Sequence, residues 1–407
     1  MSRQSNTPLT LGLSAAMILF IGSATAAEPP STNEMWRIIQ EQQKQIEALK
    51  SHLNQTDRKV EATGDVLEQV AATKPGSGDA SWAERTRIGG YGELIYNDLT
   101  GKGGAGNLNQ LDFRRFVLYF SHQFNDRIRL FSELELENSI AGAGQNGAVE
   151  LEQAYLEFDL NDRHRAKGGI FLIPVGIMNE THEPNTFYGV ERNPVERNII
   201  PTTWWAGGAA LSGELGSGFS YDAGVHEGLN ITDASYTVRK GRQKTSKAEA
   251  SDLAYTARLK WTGMPGVEIA GTYQHQTDTG QGLNLAAGSA NLYELHTAIS
   301  KGPLGLRALY ARWDLNGSGP AAVGANEQFG WYIEPSFKFN DQWGVFARYN
   351  LWDNAAGNSS ASEKKQIDVG ANFWPHPSVV LKADYQVQDN VDGKEQKGFN
   401  LGLGYQF

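Results

Sequence analysis

The sequence predicts an all-β protein: a 16-stranded antiparallel transmembrane β-barrel, preceded by a periplasmic α-helical coiled-coil segment. The closing segment, residues 398–407, has apolar residues at 399, 401, 403, 405 and 407 and only Asn, Gly and Gln between them. A period of two that ends on an aromatic residue is typical of a last strand with one face toward lipid. Segments of about ten residues with the same alternation recur from Arg85 onward. No segment beyond the amino end approaches the roughly 18 uncharged apolar residues of a helical span.

The amino end predicts export. Arg3 precedes an apolar run from Leu9 to Gly22, and Ala24-Thr25-Ala26 follows as a cleavage site. This arrangement is that of a secretory signal peptide, so we assign residues 1–26 to it.

Residues 27–73 are expected to be helical, because apolar residues recur there every seven positions. These positions are Ile39, Ile46, Leu53, Val60 and Leu67. The accompanying d positions hold several polar residues, so a single amphipathic helix is the alternative to a coiled coil. Residues 74–84, which contain Pro75-Gly76-Ser77-Gly78, are expected to be a flexible linker.

Residues 85–407 are expected to form the barrel. Short turns alternate with longer loops, and an even number of strands places both ends on the periplasmic side. The strand near Leu306 breaks the pattern, because Leu309 and Trp313 fall on the face that is polar elsewhere.

Composition excludes several classes of function. The chain has no cysteine, which removes disulfides, thiolate metal sites and cysteine nucleophiles. A formal charge of −10 does not favour nucleic-acid binding. Eight histidines are present, but neither G-x-S-x-G nor H-E-x-x-H occurs. We therefore expect no enzyme, no cofactor and no tight metal site.

Charged residues mark the expected pore. The positions that face inward on alternating strands are Arg115, Arg129, Glu133, Glu135, Glu157, Arg258, Lys260, Lys338, Arg348 and Lys382. The longest external loop, the third, runs from about Gly176 to Thr203. Its charged or titratable residues are Glu180, His182, Glu183, Glu191, Arg192, Glu196 and Arg197. Three prolines in this loop and Pro174 just before it make it stiff, which favours an inward fold that narrows the lumen over a cap on the outside. We expect acids on the loop to oppose bases on the wall.

Several segments resemble Gram-negative porins of the phosphate-selective porin O/P superfamily. They are Gly89-Gly90-Tyr91-Gly92-Glu93, Asp112 to Glu137, Val149 to Asp159 and Pro174 to Gly213. Trp36 to Lys50 also resembles the amino-terminal coiled coil of some members. The resemblance implies a homotrimeric outer-membrane channel. Phosphate selectivity in that family rests on pore arginines and a lysine cluster, whereas the inward positions here carry both signs of charge.

The expected function is a passive diffusion channel for small hydrophilic solutes, with small anions as the expected preference. Its partners would be outer-membrane lipid, the solute, two further copies and the periplasmic cell-wall layer. One alternative is an outer-membrane anchor tethered through the amino-terminal helix, which would give no conductance steps. The other is a barrel hydrolase, which would need a reactive serine on the lumen or rim.

Overall fold

The computed structural model describes residues 82–407, so the predicted signal peptide, the coiled coil and most of the linker lie outside the described residues. A short 3-10 helix, Trp82–Arg85, leads into sixteen β-strands. The strands are β1 Thr86–Lys102, β2 Leu108–Asn125, β3 Ile128–Glu137, β4 Val149–Asp159, β5 His164–Leu172, β6 Trp205–Gly216, β7 Phe219–His226, β8 Ala254–Met264, β9 Val267–Gln276, β10 Ala290–Lys301, β11 Leu304–Leu315, β12 Glu327–Lys338, β13 Trp343–Asp353, β14 Lys364–His376, β15 Val379–Asn390 and β16 Glu395–Gln406.

Each strand pairs antiparallel with its neighbours, and β1 pairs with β16, so the sheet closes into a barrel. The predicted fold class and strand number are confirmed. Helices are short: α1 is Val195–Asn198, a 3-10 turn is Val238–Gly241, and α2 is Ser318–Val323. Within residues 82–407 no helix has the length and apolar character needed to cross a membrane.

Short turns and long loops alternate around the barrel. The two longest connections are residues 173–204, between β5 and β6, and residues 227–253, between β7 and β8. We call them loop 3 and loop 4. Both emerge at the same end of the barrel, because both follow odd-numbered strands.

The two faces of the strands differ as the alternation predicts. On β14, Ile367 and Val369 are about half exposed, whereas Gln366 and Asp368 are buried on the inner face. An outer surface of exposed apolar side chains suits lipid, and an inner face of polar side chains suits a hydrated lumen.

Part of the lumen is filled by an apolar core. Loop 3 and loop 4 contribute buried side chains that pack against inner-face residues of the strands. This lumen cluster comprises Phe171, Ile173, Val175, Ile177, Val195, Ile199, Ile200, Trp204, Ala206, Ala210, Leu229, Ile231, Val238, Ala290, Leu292, Leu309, Ala311, Trp313, Leu315, Tyr332 and Trp352. Leu309 and Trp313 therefore break the polar pattern because apolar loop residues cover them.

Two β-bulges turn additional residues inward. The pairing of β1 with β2 shifts register after Glu93, and Arg114 is the extra residue. The pairing of β3 with β4 shifts after Glu133, and Glu152 is the extra residue. A bulge adds one residue to one strand and re-aims its neighbours, so adjacent side chains can share a face.

The inner face of β16 carries small residues because loop 3 packs closely against it. A Cβ added at Gly404 would lie 2.4 Å from Cβ of Pro184. The backbone beyond β16 completes the closure: the amide of Phe407 donates to Gly90 O and the amide of Gly90 donates to Phe407 O, each at 2.9 Å.

Candidate functional site: loop 3 and the charged lumen

Loop 3 lies inside the barrel and is organised around the buried carboxylate of Glu196. Its Oε1 accepts the backbone amides of Ile177 at 2.7 Å and Met178 at 2.6 Å. Its Oε2 accepts Asn193 Nδ2 at 3.0 Å and the hydroxyl of Tyr332, on β12, at 2.8 Å. Glu196 is fully buried, so it holds the loop's own fold and joins the loop to the wall.

Two carboxylates of loop 3 pair with arginines of the wall. This is the arrangement expected from the sequence, with acids on the loop and bases on the wall. Glu180 pairs with Arg258, which also binds Asp222 at 2.7 Å. Burial raises the pKa of Glu180, but the positive charge of Arg258 outweighs burial and the net shift is downward. Glu191 accepts Arg114 Nη2 at 2.7 Å.

A third contact has the opposite sense, with the base on the loop and the acids on the wall. His182 Nε2 lies 3.3 Å from Glu133 Oε1 and 3.4 Å from Glu152 Oε2. All three side chains are buried. Burial lowers the pKa of His182, but the two carboxylates outweigh burial and raise it to about 10.

The predicted wall arginines are balanced by wall carboxylates. Arg115 lies 3.4 Å from Glu93 and 3.8 Å from Glu135. Arg129 lies 2.7 Å from Glu157, with Asp159 as a second partner. Arg348 lies 3.2 Å from Glu334 and 3.0 Å from Asp368. These arginines therefore carry little uncompensated charge.

The remaining predicted positions have varied partners. Lys382 donates to the backbone oxygen of Gly189, in loop 3, at 3.0 Å. Lys260 lies 3.9 Å from Glu268, and Lys338 lies over the ring of Trp374 at 4.7 Å. Glu183 accepts the hydroxyl of Tyr119 at 3.2 Å.

Four arginines of loops 3 and 4 are different, and we call them the arginine group: Arg192, Arg197, Arg239 and Arg242. Within residues 82–407 none of the four forms an ion pair with a carboxylate. Arg239 donates to the backbone oxygens of Arg197 at 2.9 Å and Thr202 at 2.8 Å. Arg242 donates to backbone oxygens of Pro201 and Thr203, and Arg192 donates to Thr203 Oγ1 at 2.8 Å.

The arginine group carries a concentrated positive charge. Burial, followed by the charges of Arg242, Arg197 and Arg192, lowers the pKa of Arg239 to about 9. Burial also lowers the pKa of Arg242, although Glu150 and Glu152 oppose this. Nε and Nη2 of Arg192 are buried without a hydrogen-bond partner. The group therefore concentrates positive charge where loops 3 and 4 meet, which favours an anion nearby.

Sequence reasoning missed four of these residues. Arg114 and Glu152 fall on the outer face if a period of two is applied, and only the bulges bring them inward. Arg239 and Arg242 lie in loop 4, where the cue was a basic segment, Val238–Gly241 with Arg242 after it, in a chain that is acidic overall.

Comparison with known proteins gives the family. The family model described as phosphate-selective porin O and P matches residues 91–407. An uncharacterized protein of Aquifex aeolicus (strain VF5) is 30% identical, with 79% of each chain covered.

Solved structures agree in fold. The outer membrane channel DcaP of Acinetobacter baumannii matches with a TM-score of 0.56 and 17% identity, over 79% of this chain and 97% of that one. An anion-selective porin from Comamonas acidovorans matches with a TM-score of 0.57 and 13% identity, over 79% and 99%. The trimer form of OmpT of Vibrio cholerae matches with a TM-score of 0.51 and 10% identity, over 79% and 99%. The chain belongs to the phosphate-selective porin O and P family, and it is an outer-membrane diffusion channel, not an enzyme.

Proposed function

We propose that this channel passes small hydrophilic solutes and prefers small anions that carry a carboxylate or a phosphate. The observation that supports this preference is the arginine group. Four guanidinium groups come together on two loops and form no ion pair within the described barrel, whereas the wall arginines form ion pairs. A planar guanidinium binds carboxylate and phosphate through two parallel hydrogen bonds.

A constriction of the lumen by loop 3 belongs to the same proposal. Loop 3 crosses the interior and contacts inner-face residues on opposite parts of the wall, among them Glu133 on β3 and Tyr332 on β12. Charges in a narrow, poorly screened space act on a solute more strongly than the same charges in bulk water. We propose that loop 3 narrows the passage and that the arginine group selects the sign of charge. The description of the Comamonas porin as anion-selective points in the same direction.

Reversal potential under a KCl gradient across a planar bilayer tests this proposal. We expect the wild type to prefer chloride and Arg239→Gln/Arg242→Gln to shift the reversal potential toward potassium. The matched control is Arg127→Gln/Arg163→Gln, which removes two charges from exposed turns and should leave the potential unchanged. An equal reversal potential in the wild type and the Arg239/Arg242 variant would remove the arginine group from the selectivity mechanism.

Assembly is the second part of the proposal. We infer a homotrimer in outer-membrane lipid, with the amino-terminal helical segment in the periplasm and directed toward the cell-wall layer. One structural match is described as a trimer form, which supports this. Association between the amino-terminal helices of neighbouring copies is weak, but the barrels hold these helices at a high effective concentration and so strengthen it. Deletion of residues 35–70 should leave a folded barrel whose trimer dissociates at a lower temperature on gels, and an unchanged melting temperature would contradict a trimerising role.

A further inference from the structure

The contact of loop 3 with β3 and β4 has the composition of a metal site. His182, Glu133 and Glu152 come from three different elements, and each side chain is at most 3% exposed. One ligand atom from each residue lies within 4.8 Å of the others. We call these residues the His182 trio. Nε2 of the histidine and the two facing oxygens, Glu133 Oε1 and Glu152 Oε2, have no hydrogen bond of ordinary geometry.

The surrounding hydrogen bonds orient the trio toward a common point. His182 Nδ1 lies 3.1 Å from the backbone oxygen of Asn179, and a carbonyl can only accept, so Nδ1 carries the proton. In the neutral ring the lone pair is then on Nε2, which faces the carboxylates. Gln153 Nε2 donates to Glu133 Oε2 at 2.7 Å and leaves Oε1 for the trio. Metal-binding histidines and carboxylates are commonly held by such outer hydrogen bonds.

We propose that the His182 trio binds a divalent transition-metal ion, with Zn²⁺ as the best fit. Zinc binds histidine nitrogen and carboxylate oxygen at about 2.0–2.2 Å in tetrahedral geometry, which places neighbouring ligand atoms roughly 3.4 Å apart. The distances from Nε2 to the two carboxylate oxygens are 3.3 and 3.4 Å. One nitrogen and two oxygens form a ligand set that suits zinc better than calcium or magnesium, which prefer oxygen alone.

The local charge favours a cation. Glu133 and Glu152 lie among two further buried carboxylates, Glu93 and Glu135. Three arginines, Arg115, Arg192 and Arg242, interact with this set. The carboxylates outnumber the arginines, so with a neutral imidazole the set keeps a negative charge that a bound cation balances.

A second histidine in the lumen provides the contrast. His296 Nδ1 lies 2.7 Å from Glu294, and its Nε2 lies 3.2 Å from Glu268. Both contacts are hydrogen bonds, so a charged ring satisfies this site fully. Within residues 82–407 the His182 trio is the one group of three or more His, Asp or Glu residues whose ligand atoms converge in this way. His296 is therefore the matched control.

Metal content of the full-length protein tests the proposal. Protein purified from cells in detergent is stripped with a chelator, incubated with Zn²⁺ or Co²⁺, and freed of unbound metal. We expect about one ion per chain in the wild type and in His296→Gln, with the visible absorption of tetrahedral Co²⁺. His182→Gln and Glu152→Gln should each weaken binding by about tenfold or more.

The outcomes are distinct. Equal metal content in the wild type, His182→Gln and Glu152→Gln would overturn the proposal, and so would a wild type that retains no metal. If His182→Gln fails to fold, Glu152→Gln decides, because it keeps the shape of the side chain and removes only its charge. The assay does not depend on conductance, so its failure would leave the proposed anion preference intact.

Discussion

Replacing Glu196 should loosen loop 3 while the barrel stays closed. The carboxylate is buried and accepts four hydrogen bonds, two of them from the backbone amides of Ile177 and Met178. Glu196→Ala leaves both amides without an acceptor in a buried setting. The strands are held by their own ladder and do not depend on this side chain.

The magnitude follows from the two orphaned amides. An unsatisfied buried donor costs about 1–3 kcal/mol, so the pair costs about 2–6 kcal/mol of loop stability. One tenfold change corresponds to about 1.4 kcal/mol, so local opening should become about 30-fold to about 20,000-fold more frequent.

Hydrogen exchange read by mass spectrometry measures this opening directly. Peptides that contain residues 177 and 178 should exchange faster in Glu196→Ala, whereas peptides from β15 should be unchanged. Tyr332→Phe is the matched control: it removes one hydroxyl from the same carboxylate but leaves both amides bonded, so exchange should rise by about tenfold or less. Unchanged exchange at residues 177 and 178 in Glu196→Ala would show that the lumen cluster alone holds the loop.

Three further outcomes are expected. Leu309→Ala opens a cavity in the lumen cluster and should lower the free energy of unfolding by about 2–5 kcal/mol. Leu295→Ala, on the outer face, should lower it by less, and urea unfolding in lipid vesicles compares the two variants. Gly404→Val should displace Pro184 and cost about 1–3 kcal/mol in the same assay, and a wild-type midpoint would show that loop 3 does not press on β16. Phe407→Ala should reduce the amount of barrel in the outer-membrane fraction of cells while barely changing the unfolding of purified protein, since the stacking of Phe407 on Phe116 contributes about 0.5–1.5 kcal/mol; wild-type yield would contradict a role in insertion.

The sequence predicts the strands well, because each strand separates two environments. Lipid and lumen impose opposite polarity on alternate residues, and this leaves a period of two that can be read directly. The inner positions of Arg258 and Arg348 follow from that period. The long third loop is also visible, since no other connection carries so many residues without alternation.

The sequence does not reveal the interior as well. The period fails at the two bulges, so Arg114 and Glu152 are assigned to the wrong face. It also gives no partners: His296 lies between two carboxylates, and nothing in the local pattern indicates either contact. The contacts between loops 3 and 4 depend on the folded path of long irregular segments, and local pattern carries no information about such distant pairings.

The pairing of Phe407 with Gly90 has a consequence for the order of assembly. The same backbone amide and carbonyl that join the last residue to the first strand are the groups by which a free strand end can be held by another protein. They cannot serve both partners at once. Any factor that binds the end of β16 as an extended strand must release it before β16 pairs with β1. Closure of the barrel and release of that factor are therefore the same step.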